Sequence, residues 1–190
     1  MNKFNLLIMK IRMFITSYFP LYIILLLLQI SKYPVNLHKD EIYVPATVLA
    51  IVLVGFMIIS ILTTIDLFRT KGNEQYKYKS INRTGDAVIS YLMTYIVPLL
   101  SGTILTYEVF VVNISLFIII GIVYVKMDLV YFNPIWILLG YAVYTVECGD
   151  FVISNIPYGI LKQNTGNSLK SSYLVKGVYL IRKKDNVSKL

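Results

Sequence analysis

Charge is scarce in this chain, and acidic charge is scarcest. Only 15% of its 190 residues are Asp, Glu, Lys or Arg, against about 25% in an ordinary soluble domain. The 10 acidic residues are outnumbered by 18 basic ones. Cys148 is the single cysteine, so an intrachain disulfide and a secreted disulfide framework are excluded. His38 is the single histidine, too few for a zinc site without a company of Cys and carboxylate ligands. No G-x-S-x-G elbow, P-loop or glycine-rich dinucleotide fingerprint occurs. These absences predict no enzyme, no cofactor and no metal site.

What the chain does have is long apolar runs. Hydrophobic residues make up 57% of it. Four stretches, roughly Met13–Ser31, Val44–Ile65, Ala87–Tyr107 and Val109–Val125, approach or exceed the length of about 20 residues that a spanning helix needs. The first is too long for a signal h-region and no small-x-small cleavage pattern follows it, so it is expected to stay as a span. The expected fold is therefore an all-α membrane bundle of four transmembrane helices over residues 1–130. Residues 131–190 are expected to form an interfacial segment and a small β-rich cytoplasmic C-terminal module.

Basic residues in short loops stay on the cytoplasmic side. With both termini inside, 16 of the 18 basic residues are cytoplasmic and only Lys32 and Lys39 lie outside. The expected location is the bacterial inner membrane, multi-pass, with both ends cytoplasmic. The element Ile135–Val146 is too short to cross, and its Trp136, Tyr141 and Tyr144 suit an interfacial or soluble place.

The middle of each run is almost free of ionisable groups: Asp66, Glu108, Lys126 and Asp128 all fall at span ends. That weighs against an ion-coupled transporter. Asp66 and Arg69 are three apart and could pair on one helix face. Pro98, followed by Ser101 and Gly102, would kink the third run, so Pro98 and Gly102 are a candidate hinge. Gly55, Ser60, Ser115 and Gly121 permit close helix approach and make a homo-oligomer plausible.

The basic cytoplasmic segments suit anionic lipids. In the second loop, Arg69, Lys71, Lys77 and Lys79 are candidate partner-docking residues, with Tyr76 and Tyr78 interleaved; Arg182, Lys183 and Lys184 in the tail are the others. Lipid attraction explains these cations without direct nucleic-acid binding. Further along, Tyr141–Glu147 and Asp150–Ser154 read as two strands around a turn at Cys148-Gly149. Tyr173–Val175 and Val178–Ile181 flank Lys176-Gly177 and read as another pair.

A basic N-terminus, four apolar runs, the pattern Asn133-Pro134 … Leu139-Gly140-Tyr141 … Tyr144 and a short β tail together resemble the KwaA family, the membrane subunits of the Kiwa anti-phage defence system. The resemblance implies a homo-oligomeric inner-membrane sensor or scaffold that recruits and regulates a co-encoded cytoplasmic DNA-binding protein, KwaB. The competing expectation is a small membrane channel or transporter acting without a partner.

Overall fold

The computed structural model describes residues 3–32, 43–70, 72–84 and 107–187. The predicted third span up to residue 106, with Pro98 and Gly102, lies outside them, as do His38 and Lys71.

The first apolar run is broken. Helices α1 (Lys3–Ser17) and α2 (Phe19–Lys32) meet at a 44° bend. Pro20 sits in the first turn of α2 and has no N–H to give. Just before it, buried Thr16 and Ser17 turn their hydroxyls back onto the carbonyls of Arg12 (2.6 Å) and Phe14 (2.7 Å), a competition that bends helices. Helix α3 (Tyr43–Arg69) stays continuous, and its 22-residue segment Val48–Arg69 contains an 18-residue window with a mean hydropathy of 2.8. At about 1.5 Å per residue that segment is about 33 Å long, enough for a bilayer core of about 30 Å.

Helix α4 (Tyr107–Lys126) runs into Asp128, which adopts the left-handed conformation (φ 56°). The chain then turns through 114° into a 3-10 turn and the short helix α5 (Pro134–Leu138). Asn133 starts α5 by accepting from the Ile135 amide at 3.0 Å, with Pro134 in the first helical position where no N–H is needed. An aromatic core joins the helices: Phe14 lies 4.9 Å from Phe117 and 5.4 Å from Tyr124, and Tyr22 lies 5.5 Å from Phe56. Gly121 makes the contact possible, since a Cβ there would sit 2.9 Å from the Phe14 ring.

The expected all-α bundle of four spanning helices does not stand. Among the described residues one helix is long and apolar enough to cross a membrane, or up to three spans if each bent pair counts as one. Among the described residues six α-helices accompany a six-stranded mixed sheet. Its strands are β1 (Glu74–Lys77), β2 (Ile81–Arg83), β3 (Ala142–Val146), β4 (Phe151–Ser154), β5 (Ser168–Val175) and β6 (Val178–Ile181), in the order β1-β5-β6-β4-β3-β2. Both strand pairs read from the tail are there, turning at Gly149 (φ 79°) and Gly177 (φ 75°). Only β4 and β6 run parallel, with helix α6 (Tyr158–Gln163) and β5 in the connection between them.

The two edge strands come from the loop after α3 and are separated by only Tyr78, Lys79 and Ser80. A flat six-stranded sheet would hold its edges about 24 Å apart. Four Cα steps from Lys77 to Ile81 reach about 14 Å at most. The sheet therefore curls until β1 and β2 nearly meet. Helix α6 covers the seam: Tyr158 Oη donates to the Ile81 carbonyl (3.2 Å) and Tyr78 Oη to that of Leu161 (2.8 Å). Inside the curl, Tyr78, Ile81, Tyr144, Val152, Leu169 and Ile181 form one core. On the convex face Val143, Ile153, Leu174 and Leu180 join Leu67, Trp136 and the helix aromatics in a second core. Residues of both faces of the sheet are buried, and the convex side sits on the helices.

Candidate functional site

The last carbonyls of any α-helix lack intrahelical partners and carry about half a negative charge. At the end of α3 they are taken by a side chain 112 to 115 positions away in sequence. Arg182 follows β6 directly and is only 1% exposed. Its Nη1 donates to the carbonyls of Leu67 (3.3 Å) and Phe68 (3.1 Å), and its Nη2 to that of Thr70. Its Nε donates to Asp185 Oδ2 at 2.9 Å. Lys184 Nζ adds a second donor to the Phe68 carbonyl at 3.2 Å. A buried guanidinium is tolerable here because a carboxylate and a helix C-terminus share its charge and all but fill its donor fork.

The loop holding Arg182 is itself pinned. Asn186, fully buried, donates to the carbonyls of Lys170 (2.9 Å) and Arg182 (3.0 Å) and accepts from the Lys170 amide (2.7 Å). Around the joint, Phe68 meets Tyr141 (6.0 Å between rings), and Tyr141 meets Trp136 (5.7 Å). The apolar crevice left among Leu67, Trp136, Leu139 and Leu180 has a volume of about 10 Å³, room for about one water and no ligand.

The other side of α3 is tied to α1. Arg12 pairs with Asp66 at 2.5 Å and donates to Thr63 Oγ1 at 3.1 Å. Lys10 pairs with Asp128 and donates to the Val125 carbonyl at 3.4 Å, so a cation also caps the end of α4. The last two turns of α3 thus sit between α1 and the sheet.

A family model described as anti-phage protein KwaA matches residues 9–184, from within α1 to the Lys184 cap. The chain belongs to the KwaA family. No curated protein and no solved structure matches it.

In this KwaA chain the residues expected to dock a partner divide into several environments. Arg182 is removed from that surface: it is buried as the helix cap, because its guanidinium is consumed by the end of α3. Lys184 is exposed yet shares that task. Lys183 is exposed, its amide donating to Asn155 Oδ1 at 2.8 Å. Arg69 is exposed at the end of α3, and its expected partner Asp66 is engaged with Arg12. Lys77 on β1 and Lys79 in the turn are exposed. The backbone amides of Lys79 and Ser80 both donate to the Glu147 carboxylate. Desolvation pushes that carboxyl up, but these backbone donors outweigh it and hold it below its usual 4.5.

Tyr76 stacks on Tyr179 (3.9 Å) and donates to Asp150 Oδ2 at 2.9 Å; burial and that carboxylate push its hydroxyl pKa up. Among the described residues no group of three or more His, Cys, Asp or Glu could hold a metal ion. Sequence reading missed Lys10, Arg12 and Asp128 as helix ties and Glu147 as the turn holder. The pair expected from an i,i+3 spacing, Asp66 with Arg69, gives way to Arg12–Asp66, whereas Arg182 and Asp185, also three apart, do form an ion pair.

Proposed function

We propose that this anti-phage protein is a non-enzymatic membrane sensor or scaffold that passes a change at the envelope to a cytoplasmic partner. The KwaA family fixes the defence role; the finer reading rests on the buried clamp of Arg182 on α3. A span that tilts or slides can inform the cytoplasm only if its end is gripped by the element that signals. Arg182, with four hydrogen bonds to Leu67, Phe68, Thr70 and Asp185, supplies that grip. In this reading α3 sits in the bacterial inner membrane with the sheet on the cytoplasmic side. The exposed aliphatic side chains of α3 and α4, such as Ile51, Ile58, Ile118 and Ile119, face lipid or a second copy of the chain. The exposed face with Lys77, Lys79 and Lys183 receives the co-encoded DNA-binding partner, and no direct contact with nucleic acid is required. If Pro98 and Gly102 form a hinge, it serves the same transmission.

Phage plating efficiency tests this on cells expressing the chain, its neighbouring gene, or both. Protection only with both supports a two-component system, and loss of protection in a folded Arg182 variant supports the clamp as its relay. Protection by the chain alone, together with solute flux in liposomes, would instead favour a channel.

A further inference from the structure

The end of β2 carries an arrangement that the clamp does not use. Arg83 Cζ lies 5.0 Å from the centre of the Tyr158 ring and Lys162 Nζ lies 6.0 Å from it. Tyr144 stacks on the same ring at 6.0 Å and 23°. One cation over an aromatic face is a common tether worth about 0.5–1 kcal/mol at an exposed site. A second cation on the same ring adds like-charge repulsion, and among the described residues neither Arg83 nor Lys162 forms an ion pair. Both are exposed. The ring they share is already bonded through its hydroxyl to the Ile81 carbonyl (3.2 Å) and is stacked on Tyr144, so it offers a nucleobase little platform. What remains on offer is the positive charge of two exposed side chains that share one ring, which suits a phosphate oxygen cluster.

Two observations say where such a phosphate would come from. Arg83 pairs in register with Tyr144, and the Thr84 amide donates to the Val143 carbonyl, so the end of β2 lies beside the start of β3. Immediately before β3, Ile137, Leu138 and Leu139 are 48%, 66% and 40% exposed. Three consecutive bare aliphatic side chains at that end of the sheet suit the headgroup–acyl boundary of a membrane. The apolar run of the sequence also resumes at Ala87, within about 14 Å of chain from Arg83.

The geometry points to Arg83 and Lys162 as a binding site for the phosphate of an anionic lipid headgroup, seating the curled sheet against the membrane beside the exposed 137–139 tip. The site rests on the membrane placement proposed above but not on a partner or a phage. It deepens the general attraction of basic segments for lipid by naming a place for it.

The test uses the full chain in a neutral detergent, with retained lipid counted by native mass spectrometry over a titration of phosphatidylglycerol, and phosphatidylcholine as the neutral control. Lys162→Gln should weaken phosphatidylglycerol binding about 5-fold, and Arg83→Gln with Lys162→Gln about 30-fold, following one surface attraction per cation. Lys170→Gln with Lys176→Gln removes the same charge from exposed positions of β5 and the turn after it and should leave binding within about 2-fold of the parent. Equal losses in the two double variants would overturn the site, leaving only bulk charge. Displacement of the lipid by millimolar inorganic phosphate would overturn the lipid source in favour of a free phosphate. Displacement by a short DNA duplex would overturn it in favour of nucleic acid. Lys162 is exposed on a short helix, so its single variant keeps the test usable if the double one misfolds. Failure here leaves plating efficiency untouched, so the two readings fail separately.

Discussion

Replacing Arg182 with alanine should loosen the joint between α3 and the sheet more than any other single change at that interface. The side chain is 1% exposed and makes hydrogen bonds to three carbonyls and one carboxylate. Truncation leaves Asp185 without its cation and the carbonyls of Leu67 and Thr70 without their side-chain donor, with Lys184 alone at Phe68, and it opens a cavity the size of a long side chain. Removing one partner of a buried charge pair costs about 3–5 kcal/mol. Against a typical total of about 5–15 kcal/mol that is a large fraction. Lysine at this position keeps the charge but cannot address Leu67, Phe68, Thr70 and Asp185 together, so Arg182→Lys should fall between parent and alanine. Hydrogen exchange on the full chain in detergent is the direct assay. The amides of Leu67, Phe68, Arg69 and Thr70 should exchange faster in the alanine variant, while the inner sheet around Val152 keeps its protection. A stability loss below about 1 kcal/mol with unchanged exchange at those four amides would refute the clamp.

Other consequences are smaller and separable. Glu147 has a depressed carboxyl pKa, so its contribution is present above the unfolded value, near 4.5, and is lost as pH falls through the lower folded value. Glu147→Gln should weaken the β1–β2 turn at neutral pH and flatten the acid limb of a pH–stability curve; an unchanged limb would count against the turn holder. Gly121→Ala should cost about 1–3 kcal/mol, because the new Cβ would meet a Phe14 ring confined by Tyr18, Phe117 and Tyr124. Gly55→Ala meets nothing within 4 Å and should be neutral or gain up to about 1 kcal/mol from helix propensity. Thermal unfolding of the two variants side by side distinguishes a packing requirement from a general dislike of alanine. Tyr78→Phe should cost about 1–2 kcal/mol by orphaning the Leu161 carbonyl at the seam, readable as faster exchange of α6 amides.

Local signals were legible and long-range ones were not. Alternating β-branched and aromatic residues around Gly149 and Gly177 announced β3–β4 and β5–β6, since turn chemistry and period-two patterning act over a few residues. The strand Glu74-Gln75-Tyr76-Lys77 is polar and mostly exposed because it is an edge, so its composition reads as loop; only its register with Ser168–Ser171 makes it a strand. The bend at Ser17–Phe19 was hidden in a run whose hydropathy alone says span, although Pro20 was there to be weighed. At the clamp the charges misled. A terminal cluster Arg182-Lys183-Lys184 looks uniformly solvated in sequence, yet β6 ends against α3 and buries the first of the three. Which cation meets a helix end depends on where the sheet delivers it.

The use of a buried arginine at this joint, where an aliphatic side chain would pack at lower desolvation cost, constrains what the joint is for. Apolar contacts at Leu67, Phe68, Trp136 and Leu180 tolerate sliding by fractions of a side chain, whereas a fork directed at consecutive carbonyls fixes one register of helix against sheet. On the opposite side of α3, Arg12 holds Asp66 and Thr63 one turn earlier. A displacement of α1 therefore has to break the Arg12 ties or carry α3, and through Arg182 the sheet, with it. The two alternatives give different outcomes when Arg12→Ala and Arg182→Ala are combined. If the helix end relays a signal between them, either variant alone abolishes phage protection at normal protein levels, and the double variant is no worse. If the two ties only add stability, protection should fall in step with the amount of folded protein, and the double variant should be the weakest. The second pattern would leave the clamp as a structural joint and move the search for the relay to the segment between Thr84 and Tyr107.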